Sequence, residues 1–205
     1  GIGDDCAAIQ VQPKHMQLVS SDSQVEGTHF NLKWIDALSL GKRCISVSLS
    51  DIAAMGGTPK HVIVSLILPN YLSVDFIKKL YIGINQQTRT YKANVIGGNI
   101  SGGSERLIID VTVIGEIKPD AVVTRSEAKP GDHIYLSGDL GNGVAGLEIL
   151  RKFDDNYPSN YMNIVDKCLN PVPRIAVGRL IANSGCATSM IDVSDGLSSD
   201  LGHIC

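Results

Sequence analysis

Continuous apolar runs alternate with helix-like patterns along the first half of the chain. Runs of apolar residues favour strands, whereas apolar positions spaced three, four and seven apart favour one face of a helix. These patterns predict strands at 6–11, 16–19, 61–68, 94–96 and 107–117 and helices at 38–55 and 74–91. The run at 61–68 is apolar at nearly every position, which predicts a strand buried on both faces.

The pattern begins again around residues 128–132. A short strand is expected at 133–136, and a glycine-rich segment at 138–146 leads into a helix that ends near Lys152. Further helices are expected at 159–168 and from 171 to Gly185, and a strand at 189–193. The last helix then begins with Ser194 or Asp195 as its N-cap.

This alternation predicts an α/β (or α+β) fold with two domains. We place the boundary between about 117 and 130, which divides the chain into an N-terminal α/β domain at 1–120 and the start of a C-terminal α/β domain at 121–205. Gly1 reads as the middle of a Gly1–Asp5 turn, and an apolar pattern runs up to Cys205 without a stop signal. We therefore expect a piece of a longer polypeptide that continues beyond Cys205.

Composition narrows the function classes. The 205 residues are 43% hydrophobic and carry a net charge of −3, without the basic stripe that nucleic-acid binding needs. No apolar run has the length of a membrane span, and no signal peptide is visible. The five cysteines are scattered and form no C-x-x-C pair, which suits a reducing cytoplasm.

Carboxylates recur at the ends of the apolar segments, beside serine or glycine. Alone, the stretch Ser20-Ser21-Asp22 is more typical of a strand followed by a polar turn than of a metal site. Several carboxylates in one pocket would repel one another unless cations neutralised them, and Mg²⁺ prefers oxygen ligands. A converging array therefore predicts two or more Mg²⁺ or Ca²⁺ ions, and the neighbouring serines and glycines favour Mg²⁺ with phosphate. The acidic positions are Asp4, Asp5, Asp22, Asp51, Asp192 and Asp195.

Three further features have a functional and a structural interpretation. Gly97-Gly98-Asn99 follows a strand and either presents backbone N–H groups to a phosphate or forms a hairpin-like turn. Arg125, at the domain junction, either contacts phosphate or forms a surface ion pair. His29 either orients a substrate, acts as an acid or base, or has a structural role.

Two nucleotide motifs are not supported. Residues 141–146 fit G-x-G-x-x-G, but the preceding strand is short and no acid ends a clear second strand about 20 residues on. The chain contains no G-x-x-x-x-G-K-[ST], so this segment carries no Walker-type site.

Six segments, in order, resemble the thiamine-monophosphate kinase family, of the superfamily that includes aminoimidazole ribonucleotide synthetase. They extend over nearly the whole chain and include Gly1–Ala7, Ser20–Phe30, Ser48–Gly56, Ile96–Asn99, Thr124–Asp132 and Ile191–Leu197. The resemblance implies an ATP-dependent phosphotransferase with a phosphate acceptor. It would transfer the γ-phosphoryl group of ATP directly to thiamine monophosphate, giving thiamine diphosphate and ADP, with several Mg²⁺ ions and no phosphoenzyme.

The same resemblance implies roles for individual residues. His29 matches a substrate contact. Gly98, Asn99, Arg125 and Ser194 match ATP contacts. The matches to Mg²⁺ ligands are Asp5, Ser20, Ser21, Asp22, Asp51, Asp192 and Asp195, with Asn99 at a further ligand position. Asn99 departs from the Asp that is common in the family, so we expect one metal to bind more weakly, or only together with ATP.

The resemblance also implies a cytoplasmic homodimer in which the N-terminal domains pair to form a barrel-like sheet. The C-terminal domain would be truncated here. Two alternatives remain open. One is another ATP-dependent enzyme of the superfamily, such as selenophosphate synthetase or the hydrogenase-maturation type. The other is a non-catalytic Mg²⁺- or nucleotide-binding module.

Overall fold

The computed structural model describes residues 3–205, so the first two residues of the predicted Gly1–Asp5 turn lie outside the described part. The strands are β1 (Ala7–Gln12), β2 (His15–Val25), β3 (Thr58–Leu68), β4 (Asn94–Gly102) and β5 (Ile108–Ile117). The α-helices are α1 (Ala37–Ala54), α2 (Val74–Thr90), α3 (Asn142–Phe153), α4 (Met162–Leu169), α5 (Ile175–Ser184) and α6 (Leu197–Gly202). Short 3₁₀ turns lie at Pro119–Ala121 and Ser159–Tyr161.

The strands form one mixed sheet in the order β1-β2-β5-β3-β4. The β3–β4 pair is parallel and is connected through α2, whereas the β1–β2, β2–β5 and β3–β5 pairs are antiparallel. The predicted mixture of helices and strands is therefore confirmed. Among the described residues, no helix is long and apolar enough to cross a membrane.

One face of the sheet carries the core. On β3 the side chains of Val62, Val64 and Leu66 are fully buried, in a cluster that also contains Leu40, Ile45, Leu49 and Ile52 of α1. The alternate residues Ile63 and Ile67 are only half-buried. The prediction that β3 is buried on both faces is therefore wrong for this chain, because the helices that follow the strands cover a single face. We refer to these two surfaces as the helix face and the open face.

Two strands extend further than their apolar runs. β2 continues through Ser20, Ser21 and Asp22 to Val25, because β5 pairs with it along this whole length. The segment Gly97-Gly98-Asn99 is not a hairpin turn but part of β4, an edge strand hydrogen-bonded to β3. Gly98 suits this position because a Cβ there would lie 1.9 Å from the carbonyl oxygen of Val64.

The C-terminal part packs onto the N-terminal part through α5 and α1. Gly178 of α5 lies against α1 so closely that a Cβ there would be 2.1 Å from the carbonyl oxygen of Ala53. Arg43 of α1 donates through Nη1 to the carbonyl oxygen of Cys168, 2.5 Å away near the end of α4. The helix end favours this cation, because its carbonyl groups carry partial negative charge.

The predicted helices that correspond to α3, α4 and α5 are confirmed. The two strands predicted at 133–136 and 189–193 and the predicted N-cap of the last helix are not. Residues 133–136 and 189–193 are irregular, since no strand within 3–205 pairs with either segment. Ile134 and Tyr135 are accordingly 65% and 86% exposed. The last helix begins at Leu197 with Gly196 as its N-cap, rather than Ser194 or Asp195, because the backbone at 194–196 is held by a different contact described below.

Candidate metal and nucleotide site

Three carboxylates from distant parts of the chain converge. Asp5 lies just before β1, Asp51 in the last turn of α1, and Asp192 in the segment after α5. One oxygen from each lies within 4.8 Å of the other two. Carboxylates this close repel one another unless protons or cations intervene, so the arrangement is suited to a cation. We call this group the carboxylate trio.

Electrostatics indicate that the charge of the trio is not fully compensated by the protein. Burial raises the pKa of Asp51 to about 8, against the opposing hydrogen bond from Ser20, and the charges of Asp22, Asp192 and Asp5 raise it further. Burial likewise raises the pKa of Asp192 to about 6, with Ser50 opposing and Asp5 adding to the effect. Asp51 and Asp192 are hard oxygen donors that hold protons strongly, and such donors fit Mg²⁺, which would replace those protons.

β2 adds polar groups to the trio from the helix face. Because side chains alternate across a strand, Ser20 and Asp22 lie on the same side as buried Leu18. The Ser20 hydroxyl donates to Oδ2 of Asp51. Burial raises the pKa of Asp22, with the Ser48 hydroxyl and the His29 charge opposing the effect. Ser20 and Asp22 therefore lie beside the trio, as the sequence predicts.

Ser21 lies elsewhere. Its side chain is on the open face, where its Oγ is 2.9 Å from Oγ1 of Thr112 on β5. The structure therefore does not bring the Ser21 side chain together with the trio. The sequence predicts a strand that ends at residue 19, so it does not separate the side chains of Ser20, Ser21 and Asp22. In a continuing strand, neighbours point to opposite faces.

Arg125 engages Asp5. Its Nη2 lies 2.7 Å from Oδ1 and its Nε 3.2 Å from Oδ2, a two-point contact with a side chain that is 1% exposed. The backbone N–H of Arg125 also donates to Oδ1 of Asp4 at 2.8 Å. These contacts hold the segment after β5 against the start of the chain. They place a guanidinium at the rim of the trio.

The segment 192–196 carries three predicted site residues. Asp192 belongs to the trio, whereas Ser194 and Asp195 are exposed. Behind them lies Asp200 of α6, which is 3% exposed and accepts hydrogen bonds through Oδ2 from Ser194, Asp195 and Gly196. Sequence reasoning missed Asp200. The sequence feature that could have identified Asp200 is an acidic residue near the start of the last helix, four residues after Gly196.

Gly98 and Asn99 lie on the edge strand, away from the trio. Pairing puts Asp22, Val111, Val64 and Gly98 in one row across the sheet, so Gly98 is three strand spacings from Asp22, roughly 14 Å. Asn99 is exposed and points to the open face beside Ser65. Within one chain, Asn99 and the trio therefore do not share a single ion.

A cavity of about 350 Å³ adjoins Gly98 and Asn99. Its wall includes Tyr81 of α2, together with Val95, Gly97 and Ile100. The glycines leave the backbone accessible, and an aromatic ring opposite them can stack on a planar group. Sequence reasoning missed Tyr81 because an aromatic residue at helical spacing is equally typical of a packed core.

His29 is held by its own backbone turn. The N–H of Val25 donates to Nδ1 of His29 at 3.0 Å, which leaves Nε2 as the ring nitrogen that can contact a ligand. His29 is exposed and close enough to Asp22 for its charge to lower the pKa of that carboxyl group. It thus lies on the exposed side of Asp22, and its role as a substrate contact stays a prediction.

A mixed sheet whose helix face leads to converging carboxylates defines an α/β protein with a candidate cation site of oxygen ligands. The sequence matches the family described as AIR synthase related protein, N-terminal domain, over residues 3–117. The chain belongs to this family.

Relatives of the chain carry a more specific description. It is 38% identical to the thiamine-monophosphate kinase of Bacillus subtilis (strain 168), over all of this chain and 63% of that protein. It is 41% identical to that of Buchnera aphidicola subsp. Schizaphis graminum, over all of this chain and 62% of that protein. The chain thus spans less than two thirds of the length of these relatives.

The chain is also similar in structure to a solved protein. AaThiL complexed with AMPPCP and TMP superposes with a TM-score of 0.91 at 37% identity, covering 99% of this chain and 63% of that one. The predicted resemblance to thiamine-monophosphate kinases, the predicted superfamily and the predicted fold class are therefore confirmed.

Proposed function

We propose that the full-length protein is a thiamine-monophosphate kinase, which transfers the γ-phosphoryl group of ATP directly to thiamine monophosphate and yields thiamine diphosphate and ADP. The observation that carries the proposal is the carboxylate trio, with pKa values of about 8 and about 6 at Asp51 and Asp192. The similarity to AaThiL, solved with AMPPCP and TMP, supports the choice of substrates.

Several residues would hold Mg²⁺. Asp5, Asp51 and Asp192 form the trio, and Ser20 and Asp22 supply neighbouring oxygens from β2. We also propose Ser21, Asn99 and Asp195 as ligands, with Ser21 acting through its backbone carbonyl oxygen. When bound, Mg²⁺ would neutralise the charge of both phosphate-bearing substrates.

The remaining residues would position the substrates. Arg125 and Ser194 would contact the ATP phosphates, and Gly98 and Asn99 would line the nucleotide site with Tyr81. An extended nucleotide suits the roughly 14 Å between Gly98 and Asp22. His29 would donate through Nε2 to thiamine monophosphate. Catalysis then rests on alignment and charge stabilisation, with no side-chain nucleophile.

The buried Cys6 is consistent with a direct transfer. Burial raises the pKa of its thiol, and the charges of Asp51, Asp5, Asp22 and Asp192 raise it further. A thiol so close to the trio stays protonated, and a protonated thiol is a poor nucleophile.

We also propose two domains, divided at about residue 120, and a cytoplasmic homodimer. The open face of the sheet supports the dimer, because its half-buried Ile63 and Ile67 offer an apolar surface to a second copy. All five cysteines are free thiols, which suits a reducing compartment.

The main alternative is another enzyme of the superfamily. The hydrogenase maturation protein HypE, solved in complex with ATP, has a TM-score of 0.69 to this chain at 18% identity. That likeness concerns the fold alone. The specific resemblance around His29 and from Arg125 to Asp132 favours the thiamine enzyme over selenophosphate synthetase or a HypE-like enzyme.

The decisive experiment assays the full-length protein with ATP, Mg²⁺ and thiamine monophosphate. We expect thiamine diphosphate and ADP in equal amounts, and their absence would refute the proposal. Asp22→Ala should abolish turnover while the circular dichroism spectrum is retained. Asp166→Ala, at an exposed position on α4, serves as the matched control.

A further inference from the structure

Asp200 is a buried carboxylate that is held by backbone N–H groups. Its Oδ2 accepts from the N–H groups of Ser194, Asp195 and Gly196 at 3.1, 3.2 and 3.1 Å. The residue is 3% exposed. Within residues 3–205, no Lys, Arg or His forms an ion pair with it. Three N–H donors to one oxygen satisfy this buried acceptor inside the protein.

The three donors belong to the segment that carries Asp192, Ser194 and Asp195. Residues 194–196 precede helix α6, and Gly196 has a φ of 105°, so their N–H groups make no helical hydrogen bonds. The side chain of Asp200 therefore fixes these N–H groups. The charge of Asp200 also reaches the trio, since it contributes to the raised pKa of Asp192.

We propose that Asp200 is a positioning residue of the metal site: it fixes the backbone of residues 194–196 and adds a fixed negative charge behind Asp192. This inference rests on the proposed function for the identity of the ligand, a divalent cation with nucleotide. The geometric role and the charge role are separable, because an asparagine can keep the acceptor oxygen while removing the charge.

A purely structural role makes a different prediction. If Asp200 only capped the short helix α6, its replacement would change stability and leave cation affinity untouched. Cation affinity and local amide protection are therefore the informative measurements, and both can be made without turnover.

The test uses the full-length protein, with Mn²⁺ as the probe and electron paramagnetic resonance to count free ion. In Asp200→Asn, we expect Mn²⁺ affinity to fall about threefold to tenfold, because a nearby charge is lost. The amides of Ser194, Asp195 and Gly196 should keep their protection from hydrogen exchange in this variant, since an oxygen still accepts from them.

In Asp200→Ala, we expect both properties to change: Mn²⁺ affinity falls at least as far, and exchange of the three amides accelerates about tenfold or more. Asp166→Asn is the matched control, because it removes an exposed carboxylate of α4. It should leave Mn²⁺ affinity and these three amides as they are in the parent protein.

Unchanged Mn²⁺ affinity in both Asp200 variants overturns the proposal, whatever happens to thermal stability. The result is independent of the substrate assignment. If the parent protein binds Mn²⁺ but does not phosphorylate thiamine monophosphate, the proposed function fails and the role of Asp200 is still decided by the binding and exchange data.

Discussion

The guanidinium of Arg125 covers the carboxylate of Asp5 through two hydrogen bonds, of 2.7 and 3.2 Å. Asp5 belongs to the carboxylate trio, and Arg125 is also the cation that we propose contacts ATP. One arginine thus partly neutralises the metal site before any phosphate arrives. The same charge acts in opposite directions on the two ligands, since it attracts nucleotide and repels cations.

Arg125→Ala should therefore have opposite effects on ATP and on metal. We expect KM for ATP to rise about tenfold, because charge-assisted hydrogen bonds to phosphate are lost. We expect Mn²⁺ to bind the nucleotide-free protein more tightly than in the parent protein. Steady-state kinetics and paramagnetic resonance check the two effects, with Arg151→Ala, from a surface ion pair, as the control. Parallel changes in both affinities would contradict this account.

Metal-free stability should depend on pH through Asp51. Its pKa is about 8 in the folded protein against an ordinary value of 3.8, so the folded state holds a proton that the unfolded state has released. Stability from this group is therefore present below about pH 4 and is lost as pH rises towards 8. Thermal melts in EDTA should show a falling Tm over this range. Mg²⁺ should restore more stability at pH 8 than at pH 5.

The control for that experiment is Asp51→Asn, which cannot titrate at this position. It should flatten the pH dependence in EDTA and reduce the stabilisation by Mg²⁺. A parent protein whose Tm is flat between pH 4 and pH 8 in EDTA would be inconsistent with protonation of Asp51 at the trio.

Gly178→Ala should destabilise the contact between α5 and α1. The new Cβ would lie 2.1 Å from the carbonyl oxygen of Ala53, so the helices must separate. Overpacking of this kind costs about 1–3 kcal/mol in the free energy of unfolding, measurable by urea denaturation. Gly143→Ala in α3 is the matched control, since a Cβ there meets nothing within 4 Å. Equal stabilities of the two variants would argue against a tight contact.

Asn99→Asp should act on metal only when nucleotide is present. Asn99 lies on the edge strand beside the Tyr81 cavity, separated from the trio by the width of the sheet. We expect the variant to lower the Mg²⁺ concentration needed for half-maximal rate about threefold, through one more charge near the bound phosphates. Mn²⁺ binding without ATP should stay unchanged. An unaltered Mg²⁺ dependence of the rate would remove the idea that Asn99 weakens a metal site.

Elements with a one-sided apolar pattern could be predicted from the sequence. Helix α1 was expected at 38–55 and spans Ala37–Ala54, because its apolar spacing matches the face that packs on the sheet. The convergence of Asp5, Asp51 and Asp192 followed from their common place at the ends of apolar segments. The distance between Asn99 and the trio could not be predicted, since it depends on the strand order β1-β2-β5-β3-β4.

The wrong predictions have a common physical cause: they depend on contacts between distant segments, which the local pattern of apolar and polar residues does not show. The polar residues of β2 remain in a strand because they pair with β5. The glycines of β4 remain in a strand because they pair with β3. Conversely, the apolar run at 133–136 remains irregular because nothing in the described chain pairs with it. Asp200 and Tyr81 were missed because their roles depend on the backbone and the cavity opposite them.

Side chains alternate between the two faces of β2, so the number of residues in that strand determines which of them point towards the trio. Ser20 and Asp22 lie towards the carboxylate trio, while Ser21 and Ser23 lie on the open face, where Ser23 donates to Asp110. A single-residue insertion or deletion between Leu18 and Ser20 would exchange these two sets of side chains. The side chain of Asp22 would then point away from the trio although no site residue had been replaced. Natural variation in this segment should accordingly be limited to substitutions, with insertions and deletions confined to the turn that precedes His15.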